Sequence, residues 1–148
     1  MCALDATVAY MREVATDDVR ATLDWIADNG FDAVQAKGGR HESFGNALVE
    51  FERADGARIT IVRDRSQWLC EIGTETGIKP LNVLLTAISG DAPNPKSKLH
   101  LPEQLPEGVV WREAIPAVLR WLRTGERSQA INDADQAWRK AMKKFLRG

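Results

Sequence analysis

Residues 44–73 read FGNALVEFERADGARITIVRDRSQWLCEIG, and the reading of this stretch decides the fold. Ala47, Val49 and Phe51 alternate with Leu48, Glu50 and Glu52, the two-residue period of a strand with one buried face. Asp55-Gly56 is a two-residue hairpin signal, because a type I′ turn needs positive φ at its central positions. Ile59, Ile61 and Val62 lie on the return strand. A second turn at residues 64–66 leads into an apolar strand over residues 68–72. The stretch is an antiparallel meander.

Working outward, residues 31–37 read as a strand that Gly38-Gly39 breaks. Before it, Thr16-Asp17-Asp18 opens a helix with a capping hydroxyl and two acids at the positive end of the dipole. Val19, Leu23 and Ile26 share one face of that helix, Trp25 flanks it, and Asn29-Gly30 stops it. Leu4, Val8 and Met11 hint at a shorter helix further upstream. After the meander, Ile78-Lys79-Pro80 is expected to open a helix with proline in its first turn. Leu81, Leu84, Leu85 and Ile88 form the apolar stripe and Gly90 closes it. Pro93, Pro95, Pro102 and Pro106 make residues 91–108 an irregular connection. Trp111, Ile115, Val118, Leu119 and Leu122 mark another helix, with Pro116 expected in its first turn. Ile131, Ala134, Trp138, Ala141, Met142 and Phe145 line the face of the last.

The expected architecture is a single α+β domain over residues 1–148: an antiparallel three- to four-stranded meander packed against helices. An N-terminal helix over 16–29 precedes the meander of 31–73. Three helices, over 80–89, 111–124 and 128–146, follow it.

The chain is long enough for one core without staples. Its net charge of −1 provides no overall field toward nucleic acid or acidic membranes. Charge is uneven, however. Residues 126–148 hold six basic groups against three acids, which leaves that segment at +3 and the rest at −4. Cys2 and Cys70 show neither CxxC pairing nor zinc spacing, and a buried Cys70 behaves as a small hydrophobe. A reduced, cytoplasmic setting follows, since the N-terminus lacks the pattern of a signal peptide and no apolar run approaches membrane length.

Candidate chemistry is sparse. His41-Glu42-Ser43 places imidazole, carboxylate and hydroxyl side by side, but working relays are assembled from separate elements, and residues 38–43 read first as a polar loop. An enzyme centred on His41 and Glu42 is the weakest reading. His100 has no partner at ligand spacing, and Gly38-Gly39-Arg40 lacks the Lys-Ser/Thr pair of a phosphate loop. No catalytic residue, metal or cofactor is therefore assigned. Arg139, Lys140, Lys143, Lys144 and Arg147 line the last helix beside Trp138 and Phe145, a candidate nucleic-acid surface. Both aromatics fall on the apolar stripe and read as core.

Asp64-Arg65-Ser66-Gln67-Trp68 has two readings. In one, Asp64 bonds nearby backbone in a hairpin turn while Trp68 packs inward. In the other, Arg65 and Gln67 present an exposed recognition edge. Here a family enters. Phe44-Gly45-Asn46, the alternating strand, the return strand and the Asp64-to-Trp68 turn, after an N-terminal helix and before LNVLLTAISG, resemble small bacterial immunity proteins of polymorphic toxin systems. The resemblance covers about residues 15–90. Ser66 stands where the family's turn carries glycine, so a turn of different type is expected. The resemblance implies a cytoplasmic, non-enzymatic protein that binds a cognate protein toxin and blocks its active site or substrate access. The expected contact residues are Arg65 and Gln67, with Arg40, His41 and Glu42 in the neighbouring loop. A nucleic-acid-associated regulator using the basic last helix is the alternative.

Overall fold

A computed structural model of the chain describes residues 3–96, 105, 106 and 108–147. His100 and Cys2 lie outside the described residues, as does most of the proline-rich connection; residues 91–96 are neither helix nor strand.

Two helices, α1 (Ala3–Val14) and α2 (Asp17–Asp28), come first. The hint at Leu4, Val8 and Met11 is thus a full helix, with Met11 fully buried. Thr16 caps α2 by accepting the Val19 N–H at 3.3 Å, as its hydroxyl and the following acids require. Five strands follow, β1 (Asp32–Gly38), β2 (Ala47–Glu52), β3 (Arg58–Asp64), β4 (Gln67–Thr74) and β5 (Gly77–Pro80), paired antiparallel in chain order. The chain closes with α3 (Leu81–Ser89), α4 (Trp111–Arg123) and α5 (Ser128–Arg147).

The architecture is α+β as expected, but the meander has five strands rather than three or four. Residues 78–80 form an edge strand instead of opening a helix. Pro80 is extended (φ −61°, ψ 148°), which an edge position tolerates because no ladder bond needs its missing N–H. A two-residue loop, Glu75-Thr76, makes the return, and Thr74 Oγ1 accepts the Thr76 N–H at 3.2 Å. The Asp55-Gly56 turn also differs. Arg53 N–H donates to the Ala57 carbonyl at 3.0 Å and Gly56 N–H to the Arg53 carbonyl at 2.9 Å. The loop is one residue longer than a type I′ hairpin, and only Gly56 (φ 91°) is left-handed. Pro116 is the sixth residue of α4 rather than part of its first turn.

Register sorts the faces. Val49 lies opposite Ile61, Ile61 opposite Cys70, and Phe51 opposite Ile59, which itself faces Ile72. All six side chains are buried in one cluster with Met11, Val19, Leu23, Ile26, Leu84, Ile115 and Val118 from the helices. A β-bulge between Ala33 and Gln35 lets both Ala33 and Ala36 pack on that cluster while Val34 points outward, 48% exposed. The opposite face carries half-buried Leu48, Val62 and Leu69 in one cross-strand row. Each fully buried aliphatic contributes about 1.5–3 kcal/mol, so the core face outweighs any single loop in holding the fold.

Helix α3 buries Val83 against Ala134 and Trp138 of α5, and Trp138 Nε1–H donates to Thr86 Oγ1 at 2.8 Å. Ile88 is exposed, which departs from the apolar stripe read for that helix. Phe145 is exposed as well, with Leu146 beside it, because the last turn of α5 runs past the core. No helix among the described residues is long and apolar enough to cross a membrane.

Candidate functional site

One end of the sheet gathers the residues the sequence singled out. The loop between β1 and β2 folds on itself: Gly39 N–H donates to the Asn46 carbonyl at 2.9 Å, and Gly45 N–H to the Glu42 carbonyl at 2.8 Å. Within it a single 3-10 turn (Ser43–Gly45) presents Phe44 at φ 59°, with 71% of its surface exposed. A Cβ at Gly45 would lie 2.3 Å from Tyr10 Oη and 2.7 Å from Arg63 Nη1. Glycine is required there so that both groups can donate to the Gly45 carbonyl, each at 2.9 Å.

Arg63 organises this end. Its Nη1 also donates to the Phe44 carbonyl at 3.0 Å and approaches Tyr10 Oη at 3.2 Å. A guanidinium with several fixed acceptors is held in one orientation, and it locks the loop to β3 and α1. The sequence reading missed both Arg63 and Tyr10. The signal was an arginine breaking the aliphatic run of β3 on the inward register, opposite buried Trp68.

Asn46 joins the two halves of the family-like pattern. Its Oδ1 accepts the Arg65 backbone N–H at 2.8 Å, and its Nδ2 donates to Asp64 Oδ1 at 3.3 Å. The β3–β4 connection is a two-residue turn with Asp64 paired to Gln67, and both central residues are left-handed: Arg65 at φ 53° and Ser66 at φ 68°. The expected change of turn type at Ser66 does not occur. The serine adopts the conformation that glycine would favour, at a cost of about 1–2 kcal/mol. The Arg65 guanidinium lies 5.9 Å from the centroid of the Phe44 ring. Phe44, Arg65 and Ser66 are the non-glycine residues with positive φ among those described, and all three sit at this end.

Arg40 is tied to α1 by an ion pair with Glu13 and stands 5.4 Å from the Tyr10 ring centroid. His41 and Glu42 are exposed beside it, and with Tyr10 and Glu13 they line a shallow concavity of about 400 Å³ between α1 and the loop. The loop and the turn therefore share one end of the sheet, which the sequence reading inferred only from topology. Gln67 differs from the exposed edge expected of it: it is half-buried, and its Oε1 is enclosed without a hydrogen-bond partner, as is Arg63 Nε. No group of three His, Cys, Asp or Glu among the described residues is placed to hold a metal ion. The arrangement brings the Phe44 ring, the guanidiniums of Arg40, Arg63 and Arg65 and the carboxylates of Glu13, Glu42 and Asp64 to one end of the sheet.

The basic residues of α5 (Arg139, Lys140, Lys143, Lys144 and Arg147) are all exposed. Trp138 is core as expected, whereas Phe145 is not. Comparison with protein-family models, with curated proteins and with solved structures finds no match for this chain.

Proposed function

We propose that this chain is a non-enzymatic immunity-type protein that binds and neutralises a bacterial protein toxin, using the sheet end built on Phe44 and Arg65. The observation that carries the reading is Phe44: an aromatic side chain 71% exposed, on strained backbone that Arg63 and Gly45 hold in place. An exposed ring costs solubility and a left-handed phenylalanine costs stability, so retaining both points to a partner that covers them. Aromatic and arginine side chains dominate interface energetics, and rigid presentation lowers the entropy lost on binding. Arg40, His41 and Glu42 form a charged rim around this pair, suited to steering encounter more than to fixing affinity. Gln67, half-buried at the end of the same turn, is the inner neighbour of this pair. The proposal sets the protein in a reducing cytoplasm, where the buried Cys70 thiol stays free.

The test is co-expression with the toxin encoded beside it, read as growth rescue and co-purification. Phe44→Ala and Arg65→Ala are each expected to weaken binding about 30-fold or more while leaving the fold intact. If neither neighbouring toxins nor these variants alter growth or capture, the reading fails.

The exposed end of α5 favours a second reading. Phe145 and Leu146 lie among Lys143, Lys144 and Arg147 outside the core, the make-up of a nucleic-acid surface. It predicts salt-sensitive DNA or RNA binding that charge reversal at Lys140, Lys143 and Lys144 abolishes. Absence of binding at low ionic strength removes it.

A further inference from the structure

The end of the sheet opposite Phe44 carries a cleft that the toxin-binding reading does not use. It lies among the β2–β3 loop, the end of β4, the last turns of α4 and the start of α5, with a volume of about 360 Å³. We propose that this cleft binds a small organic anion: a phosphate or carboxylate group carried on an apolar body.

Charge supports the anion. Arg53, Arg58, Arg123 and Arg127 line the cleft against two carboxylates, Asp55 and Glu75, in a chain whose net charge is −1. Asp55 is already engaged: Arg53 donates to it through Nε at 3.0 Å and Nη2 at 2.9 Å, and Arg123 approaches within 3.6 Å. Glu75 Oε2 accepts from Ser128 Oγ at 3.2 Å. Arg58 and Arg127 have no carboxylate within ion-pair distance among the described residues. Two guanidiniums thus line the cleft outside any ion pair, Arg58 having Glu52 as its cross-strand neighbour.

Arg127 is held in place, and Arg58 is confined on one side. Arg127 donates from Nε to the Trp121 carbonyl and from Nη2 to Thr124 Oγ1, each at 3.0 Å, and lies 4.8 Å from the Trp121 ring centroid. Arg58 packs across Gly73, where an added Cβ would lie 2.7 Å from its Nε. A side chain at residue 73 would displace it. A guanidinium held as Arg127 is loses little entropy on binding, and both guanidiniums match the geometry of carboxylate or phosphate oxygens. The first turn of α5 opens nearby, but Glu126 already accepts the Ser128 N–H at 2.9 Å, so the arginines carry the charge.

The remaining wall supports the apolar body. Leu119, Leu122 and Ile131 line the cleft from α4 and α5. A volume near the lower end of small-molecule sites, with an apolar wall and a few convergent polar groups, suits a ligand of one ring rather than a polymer.

The experiment is an amide chemical-shift titration of the full chain with phenyl phosphate, alongside inorganic phosphate and benzyl alcohol. Saturable shifts at Ala57, Thr74, Leu122 and Ser128 are expected, with each control at least about tenfold weaker than phenyl phosphate. Arg58→Gln, an exposed change that removes no hydrogen bond, is expected to weaken binding about tenfold or more, and Arg127→Gln to do the same. No saturable shift up to about 10 mM, shifts that map elsewhere, a control that binds equally well, or an unchanged affinity in Arg58→Gln overturns the proposal. The measurement involves no toxin, so its result is independent of the Phe44 surface.

Discussion

The turn at Arg65-Ser66 stores strain that a two-residue substitution releases. Arg65 sits at φ 53° and Ser66 at φ 68°, the type I′ geometry that Asn-Gly adopts without penalty. At the low end of the left-handed cost, about 1 kcal/mol per residue, the pair carries about 2 kcal/mol. Arg65→Asn with Ser66→Gly removes it. Glycine returns about 0.7 kcal/mol through the greater freedom of the unfolded chain. The exposed Ser66 Oγ contact with Arg63 Nη2, at 3.4 Å, is worth only a few tenths. Loss of the Arg65 contact with the Phe44 ring costs about 0.5 kcal/mol more, so the net expectation is about 0.5 kcal/mol of added stability, or roughly 1–2 °C in Tm for a chain of this length. Urea denaturation at constant m-value and a thermal scan measure it. The double variant also loses the Arg65 guanidinium, so toxin neutralisation is expected to fall as stability rises. Ser66→Gly alone keeps Arg65 and is expected to retain neutralisation. A midpoint unchanged or lowered in the double variant would refute the strain argument, and full neutralisation by it would refute the role given to Arg65.

Gly45→Ala meets Tyr10 and Arg63 and forces a left-handed alanine, and is expected to cost about 2–4 kcal/mol in urea denaturation. Asn46→Ala cuts the bonds to Arg65 and Asp64; about 1–2 kcal/mol of stability should be lost, with faster hydrogen exchange at the Arg65 amide. Burial pushes the Cys70 thiol above its ordinary 9.0, so in a Cys2→Ser background it should resist a disulfide reagent at pH 8 until the chain unfolds. The same raised value means that its contribution to stability is intact below pH 9.0 and is lost as pH rises beyond it, which alkaline denaturation measures. For Asp55 the sign reverses. The Arg53 hydrogen bond holds its carboxyl below 3.8, so its contribution is present above that pH and fades as acid carries the carboxyl through its lowered value; Asp55→Asn should flatten that part of the acid unfolding curve.

The fold was legible wherever a local pattern carried it. Alternation over residues 47–51 fixed which face of β2 is buried, and the Thr16 cap marked the start of α2 to the residue. The pattern failed where length or tertiary context decided. At four residues, β5 is too short to show alternation, and its proline read as a helix start until the pairing with β4 showed an edge strand. Pro116 read as a first-turn residue although the expected helix of 111–124 already began at Trp111; the helix does begin there, after Val110, so Pro116 falls more than one turn inside it. Phe145 has the spacing of core, but periodicity cannot say where the supporting element ends.

The candidate site was half legible, and the missing half explains the visible half. Asn46 and the residues of the β3–β4 turn stand out in sequence as turn-formers or exposed polar groups, whereas Phe44 entered only through the resemblance. Nothing local says that they meet. Their meeting depends on Arg63, whose inward register is visible only once β2, β3 and β4 are aligned, and on Tyr10, more than fifty residues away in the chain. With Arg63 in place, Gly45 has to lack a side chain and Phe44 has to turn outward on left-handed backbone. Asn46 then grips the Arg65 amide, and the Arg65 guanidinium comes to rest over the Phe44 ring. Glycine at residue 66 would relieve the turn, yet serine stands there and adopts glycine's conformation. A stable core can carry about 2 kcal/mol of such strain without unfolding, and the surrounding bonds from Arg63 and Asn46 are what hold the strained residues in place.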